Sequence, residues 1–494
     1  VRLLTTALGF VSNNLVPPSM QRYDARITRK ENTMSITHEL AERIVAFRYD
    51  DLPAAAVSWA KQAITDTIGC TFAGSCEPTA RIPAQVPGIA EQDGPCLILG
   101  TRQRTTALDA ALLNGTASHA LDYDDVSPTM GGHPSVELVV PMLALGDMVA
   151  VSGRDALTAY VAGYETATKI AKAVNFAHYE KGWHPTATLG IFGATAVAAR
   201  LLGLNTEQTS RGLAIAASLA SGVKANFGTM TKPLHVGHST RNGLFAAFLA
   251  QGGFTANPEA FEHKQGFFEV FNGPGTYDAA RIFDTWADPL DIVDPGLGIK
   301  QFPCCGSTHM AITMMLNLKE KHGLTPGQVR QVQIYSHPQR LPHTNRPTVS
   351  SALEAKFSVQ YCVARALMHG KVLLEHFEGD AWADPQAQAL LQVMEVGPHP
   401  TMTDLPWCAE VIVETTDGRR LAGKTDYLMM RGKENPMSDA EMWVKFDDCV
   451  SRVLSAEQTT QLFAALGAFD TLASVRELTA LCEPRSASTN QAAD

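Results

Sequence analysis

The sequence has no surplus of positive charge: 40 lysines and arginines face 50 aspartates and glutamates, for a formal net charge of −10. Without basic residues to replace phosphate counterions, it has no basis for a nucleic-acid partner. A small anionic substrate stays possible, because net charge describes the outer field and not any one pocket. The sequence also lacks a Cys-x-x-Cys pair, and its nine cysteines are odd in number and scattered. That leaves zinc ribbons and three-cysteine iron–sulfur sites without ligands, and a secreted disulfide framework without a pattern. A reducing, cytoplasmic location is the expectation. No uncharged apolar run reaches the roughly 18 residues of a spanning helix. The nearest, 185–199, is rich in alanine and threonine and stops at Arg200, so no membrane partner is expected. Internal repeats and low-complexity tracts are absent as well.

What is present is helical periodicity. The first 33 residues carry arginines and only two acids, Asp24 and Glu31, and a capped helical pattern follows Met34. That segment fits an extension outside the fold, or a transit peptide that would place the protein in mitochondria. From there the apolar period predicts helices over 39–47, 53–72, 105–121, 134–151, 155–174, 186–204, 206–221 and 239–252. Alanine and glycine recur at their core positions, which favours close helix packing in a many-helix body over a long coiled coil. After about residue 291 the texture changes. Helices are expected over 308–322, 353–368 and 385–394, a strand over 329–335, and a hairpin from 408–415 and 420–425 around Thr416-Asp417-Gly418. Three further helices, 439–454, 456–466 and 474–481, are expected to pack back on the first body. The predicted fold is therefore mainly α: a large helical domain from 35–291 and 432–482, a smaller α+β domain over 292–431, an extension over 1–34 and a tail over 483–494.

Chemistry-bearing residues gather at the predicted helix ends. In SHALDYDDVSPTMGGHP, 118–134, a helix runs into Asp122, Asp124 and Asp125 and then into His133-Pro134. Carboxylates at a helix C-terminus oppose its dipole, which is one route to bases of raised pKa; solvated loop acids beside a capping histidine fit the same letters. His184 precedes Pro185 at a helix start, where the positive helix end favours a neutral imidazole. Lys232, His235, His238 and Arg241 place four potential cations within ten residues, leading to a helix N-terminus suited to a carboxylate or phosphate. Cys304 and Cys305 enter another helix, as a nucleophile or, more simply, as small thiols lining a pocket. His343 and Arg346 lie in a Pro-bounded loop, where a guanidinium can fork onto a carboxylate.

LDYDD…GHPS, GWHPTATLG, TKPLHVGH, FPCCGSTH and NRP…EAKFSVQY follow one another in this order over nearly the whole chain. Together they resemble the MmgE/PrpD family, which includes 2-methylcitrate dehydratases, cis-aconitate decarboxylases and an iminodisuccinate epimerase. The resemblance implies a large all-helical domain made from both chain ends, a smaller α+β lid domain, a homodimer, and an active site between the domains with no metal or organic cofactor. By position, Asp122 resembles the family's active-site aspartate, His133 the histidine of its His-Pro-Ser segment, and His184 and Lys232 the next two polar positions. The chain also departs from the family. Val126, Cys305 and His343 stand where animal-type cis-aconitate decarboxylases carry threonine, histidine and tyrosine. Val136-Glu137 follow His-Pro-Ser where bacterial 2-methylcitrate dehydratases carry Asp-Asn.

The implied chemistry is proton transfer next to a carboxylate. Lys232, with Arg346 or His235, would bind substrate carboxylates, while His184, His133 or Asp122 moves a proton at the neighbouring carbon. Cys305 and His343 would line the substrate pocket. One such constellation serves dehydration, decarboxylation or epimerisation, taken here in that order of expectation. Two other classes stay open. The letters DYDD also fit a Mg²⁺-dependent isoprenoid-synthase-like site, which needs a second acidic cluster on a facing helix; a non-enzymatic binding protein is the other.

Overall fold

The computed structural model describes residues 34–401, 408–425 and 430–485; the N-terminal extension and most of the tail lie outside them. The helical body begins with α1 (Ile36–Ala46) and α2 (Ala54–Ser75). It continues through α3 (Ala107–Ser118), α4 (Ser135–Met148), α5 (Gly153–Val174), α6 (Pro185–Leu201), α7 (Thr206–Leu219) and α8 (Thr231–Gln251). Side-chain caps set several starts: Thr106 accepts from Asp109 N–H, Ser152 from Asp155 N–H, and Asn205 with Gln208 closes a capping box. The apolar stretch 185–199 is buried at every residue inside α6, with α4, α5, α7 and α8 around it. No helix of the described residues is long and apolar enough to cross a membrane.

The α+β unit contains α9 (His309–His322), β1 (Val329–Ser336), α10 (Val359–His369), α11 (Pro385–Leu391), β2 (Met394–Pro398), β3 (Ala409–Thr415) and β4 (Arg420–Thr425). Its sheet runs β2-β1-β3-β4, with β2 parallel to β1 and the other pairs antiparallel. In β1 the buried residues alternate, Val332, Ile334 and Ser336. The apolar two join Met310, Met315, Val363 and Leu367 of α9 and α10 in a core of the unit's own.

The chain then returns to the helical body as α12 (Asp439–Val450), α13 (Ala456–Gly467) and α14 (Val475–Leu481). Phe446, Leu462, Phe469 and Leu478 share one core with Ile64, Leu138 and Tyr160.

Several predicted boundaries are corrected, the helix expected over 439–454 ending at Val450, for example, and four bear on the site or the sheet. The helix over 105–121 ends at Ser118, and Asp122 adopts a left-handed backbone. The helix expected from Ser239 starts at Thr231: Pro233 falls in its first turn, where a missing N–H costs nothing, and Gly237 serves packing and not a turn. The 353–368 helix is two pieces, divided at Phe357-Ser358, where Ser358 caps α10 through Tyr361 N–H. The 385–394 helix stops at Leu391, and Met394 opens a strand.

Candidate active site

Two glycines build the floor of the site. At the crossing of α3 and α8, a Cβ on Gly237 would lie 2.2 Å from the Leu112 carbonyl oxygen, and one on Gly115 would lie 2.8 Å from Gly237 Cα. Only glycine permits this approach. Thr240 Oγ1 donates to the Ala111 carbonyl at 3.0 Å across the same crossing. The first turn of α8 is thereby held beside the loop that follows α3. A second close contact, Gly132 against Thr186, seats the His133 loop on the start of α6; His133 N–H donates to Thr186 Oγ1 at 3.1 Å.

Asp122, at φ +52°, is the hub. Lys232 Nζ approaches its Oδ1 at 2.8 Å, Lys300 Nζ at 3.2 Å and His133 Nε2 at 3.4 Å; Lys300 also donates to the Asp122 carbonyl at 2.6 Å. Burial works to raise the Asp122 carboxyl, but the two ammonium groups outweigh it and hold it well below the usual carboxylate range. The fully buried Asp124 orients two imidazoles. His119 Nδ1 lies 2.9 Å from both of its oxygens and His133 Nδ1 lies 3.0 Å from Oδ2. Those contacts overcome the burial cost and keep Asp124 well below its ordinary value too.

The histidines form a cluster. His119 and His133 meet edge to face at 4.6 Å between ring centroids, and His119 stacks on His184 at 5.9 Å. His184, the N-cap of α6, approaches His235 Nδ1 to Nδ1 at 3.2 Å and meets Phe227 edge-on. Burial lowers His119 to about 4, and burial together with the Lys232 charge lowers His184 well below its ordinary value, so both are neutral near pH 7. The sequence reading reached a neutral His184 through the helix dipole; burial and neighbouring cations are what act here. The Nε2 atoms of His119 and His184 are both buried without a hydrogen-bond partner. Two neutral, unpartnered ring nitrogens beside two ammonium groups can exchange a proton with a bound molecule.

Cys305, His343 and Arg346 are carried by the α+β unit. Burial raises the Cys305 thiol, with the charges of Lys300 and Asp122 acting in opposite senses on it. His343 Nε2 lies 3.1 Å from Ser307 Oγ, and burial lowers its imidazole, helped by Arg340 and Arg346. Arg346 Nε donates to the His343 carbonyl at 3.2 Å. Among the described residues no hydrogen bond or ion pair joins His343 or Arg346 to the histidine cluster. The structure thus brings Asp122, His133, His184, Lys232 and His235 together, with Cys305 beside them. Arg346 and His343 instead contact each other and Ser307.

Sequence reasoning gave His119 and Lys300 no role and read Asp124 as a raised carboxylate at a helix end or a solvated loop acid. Lys300 stands two residues before the FPCCGSTH motif, and its spacing from Asp122 gives no signal. The expectation of raised carboxylates is reversed for Asp122 and Asp124 and holds only for Asp125, which burial pushes up to about 8. Donor atoms of His119, Asp122, Asp124 and His133 lie within 4.8 Å of one another, close enough for a divalent ion. Lys232 and Lys300 already occupy Asp122, however, so a cation there would meet two ammonium groups. A cleft of about 390 Å³ lined by Gln301, Phe302, Arg431 and Glu441 holds none of these groups.

Two family models match the chain. The MmgE/PrpD N-terminal domain matches residues 38–280 and the MmgE/PrpD C-terminal domain matches 302–466. Cis-aconitate decarboxylase of Homo sapiens is 28% identical over 467 residues, covering 90% of this chain and 94% of that protein. The cis-aconitate decarboxylase-like protein oryM of Aspergillus oryzae is 26% identical over 475 residues, 90% and 97% of the two chains. The mitochondrial 2-methylcitrate dehydratase of Yarrowia lipolytica is 24% identical over 414 residues, 79% and 77% of the two chains.

Proposed function

The chain belongs to the MmgE/PrpD family and is a carboxy- or hydro-lyase of that family, and from this premise we propose that it acts on a small di- or tricarboxylate by proton transfer next to a carboxylate. The observation that carries the reading is the meeting of Lys232 and Lys300 at Asp122 beside the unpartnered Nε2 atoms of His119 and His184. The ammonium groups would hold a substrate carboxylate and spread the charge that builds on the carbon beside it. One imidazole would then exchange the proton at that carbon.

Loss of CO2 from a cis-aconitate-like substrate is our first reading, because the Homo sapiens decarboxylase and the Aspergillus oryzae decarboxylase-like protein align over more of both chains, and at higher identity, than the dehydratase does. In that reaction the C–C bond to the departing carboxylate breaks, its electron pair stays on the carbon, and a ring N–H of the histidine cluster delivers a proton there and is replenished from solvent. Dehydration of a 2-methylcitrate-like substrate is the second reading, favoured by Val126, Cys305 and His343, which depart from the decarboxylase pattern. Here one group takes the proton next to the carboxylate and another protonates the departing hydroxyl. Epimerisation would move a proton across one carbon with the same pair.

The isoprenoid-synthase alternative loses support, since α6 and α8 present His184, Lys232 and His235 to the DYDD loop and no acidic cluster. The α+β unit would act as a lid over this cluster. A homodimer belongs to the same reading, supported by the exposed apolar strip of Val223, Phe227, Met230, Leu234 and Phe245.

Proton NMR in D2O tests the reading, with EDTA-treated protein and cis-aconitate, 2-methylcitrate, citrate or iminodisuccinate. Loss of CO2, loss of water or deuterium entry at one carbon identifies the reaction. Activity is expected to survive EDTA and to fall about 10²–10⁴-fold in Lys232→Ala and His184→Ala. Activity abolished by EDTA, or unaffected in both variants, would remove the proposed site.

A further inference from the structure

Beneath the site lies a third lysine that the chemistry above does not use. Lys445, on α12, is 3% exposed. Its Nζ donates to the Tyr123 carbonyl at 2.8 Å and to the Lys300 carbonyl at 2.7 Å, and it pairs with the Asp66 carboxylate on α2. It also sits 3.9 Å from the centroid of the Tyr123 ring. An ammonium has three donors: two go to these carbonyls, and the remaining charge faces the buried Asp66 carboxylate. Nothing is left for a substrate, so the direct role open to Lys232 and Lys300 is closed to Lys445.

The two carbonyls it holds are informative. Tyr123 stands between Asp122 and Asp124, the two carboxylates that organise the cluster. Lys300 is the residue whose ammonium crosses back to Asp122. The two segments run side by side: Val126 and Gly298 exchange main-chain hydrogen bonds at 2.9 and 2.8 Å, and the Tyr123 hydroxyl donates to the Gln301 carbonyl at 3.0 Å. Lys445 ties them together from below, at the residues nearest the chemistry. A buried ion pair is a poor source of net stability, because desolvation of both charges offsets their attraction. The Asp66 carboxyl registers that burial, which pushes it up to about 6 although Lys445 pulls the other way. A pair that adds little to stability yet grips the backbone of both site segments is accounted for by what it positions.

We propose that Lys445, with Asp66 as its counter-ion, is a positioning residue that fixes the Tyr123 and Lys300 carbonyls and so sets the placement of the Lys300 ammonium against Asp122. The kinetic part of this inference rests on the lyase reading; the placement of Lys300 does not.

The test compares Lys445→Met with the double variant Asp66→Asn/Lys445→Met by thermal melting, steady-state kinetics and competitive acetylation of lysines with acetic anhydride read by mass spectrometry. Lys445→Met leaves Asp66 buried alone and is expected to melt lower. The double variant removes both charges and is expected to recover the melting temperature. Its kcat is nevertheless expected to stay about 10–100-fold down, with KM changed less, because a small misplacement of a charge at the reacting centre costs that much. Lys300 is expected to gain acetylation rate relative to Lys232. Should the double variant not fold, Lys445→Arg keeps the charge, shifts the donors and carries the same comparison. A variant that melts like the parent and keeps parental kcat and parental Lys300 reactivity overturns the proposal, as does a fall in kcat with Lys300 reactivity unchanged. If the parent turns over no carboxylate, the lyase reading fails, and Lys300 reactivity alone decides the positioning.

Discussion

Asp124 and Asp125 are neighbours in the chain and buried alike, yet their carboxyls shift in opposite directions. Burial raises both, but only Asp124 has imidazoles on it, His119 and His133. Asp125 instead accepts from Ser135 Oγ at 2.5 Å, and that hydroxyl meets Tyr160 at 2.6 Å. A carboxyl held at about 8 in the folded protein keeps its proton where the unfolded chain has lost it near 4. The native state therefore binds more protons over that window, and stability attributable to Asp125 declines as pH rises through it. Asp125→Asn keeps the shape and cannot ionise. Urea melts at about pH 5, 7 and 8.5 are expected to show the variant gaining on the parent as pH rises, by at most about 1.4 kcal/mol per unit. Parallel pH dependence in the two proteins would show that Asp125 is ionised in the fold. At this scale the sequence is legible where the residue type is unusual for its place: His184 before Pro185, Lys232 before Pro233. It is silent on His119 and Lys300, whose burial comes from chain segments far away in sequence.

Between residues and molecule stand the helices, most of which the apolar period finds. It fails at α8, where Pro233, Gly237 and two histidines read as a loop. That glycine is there because α3 passes so close. Gly237→Ala would drive a Cβ into the Leu112 carbonyl at 2.2 Å, an obstacle of backbone that no rotamer change relieves. A cost of about 1–3 kcal/mol or more is expected. Activity is expected to fall further than stability, because spreading the crossing draws Lys232 away from Asp122. Gly327→Ala, whose added Cβ would meet nothing within 4 Å, serves as the control. Equal melting temperatures and equal rates for the two variants would mean that the crossing does not set the site. The missed strand β2 has a related cause: five residues with a glycine and a proline carry little propensity, and the parallel partner Val332–Ser336 supplies the order.

For the whole molecule, the return to helical texture after the α+β stretch suggests that α12, α13 and α14 pack back on the first body, and the family resemblance implies the same, but neither says which residues they meet. In the fold, Phe446 Cδ2 would lie 3.3 Å from a Cβ placed on Gly69, and Lys445 reaches Asp66 on the same helix, α2. Phe446, Leu462, Leu466, Phe469, Val475 and Leu478 are each at most 1% exposed. Six such side chains at about 1.5–3 kcal/mol each contribute on the order of 10 kcal/mol. That equals the whole net stability of about 5–15 kcal/mol expected of a folded domain. A chain ending at Arg431 would lose this contribution and leave Asp66 buried without its cation. It is expected to keep helical circular dichroism yet melt without a cooperative transition, while the full chain melts cooperatively. The α+β unit has a core of its own, so its sheet residues are expected to lose less amide-exchange protection in the truncated chain than those of α2 and α4 do. A cooperative melt at the parental temperature would make the last three helices accessory. Loss of protection spread evenly over both units would instead mean that the sheet depends on the helical body for its order.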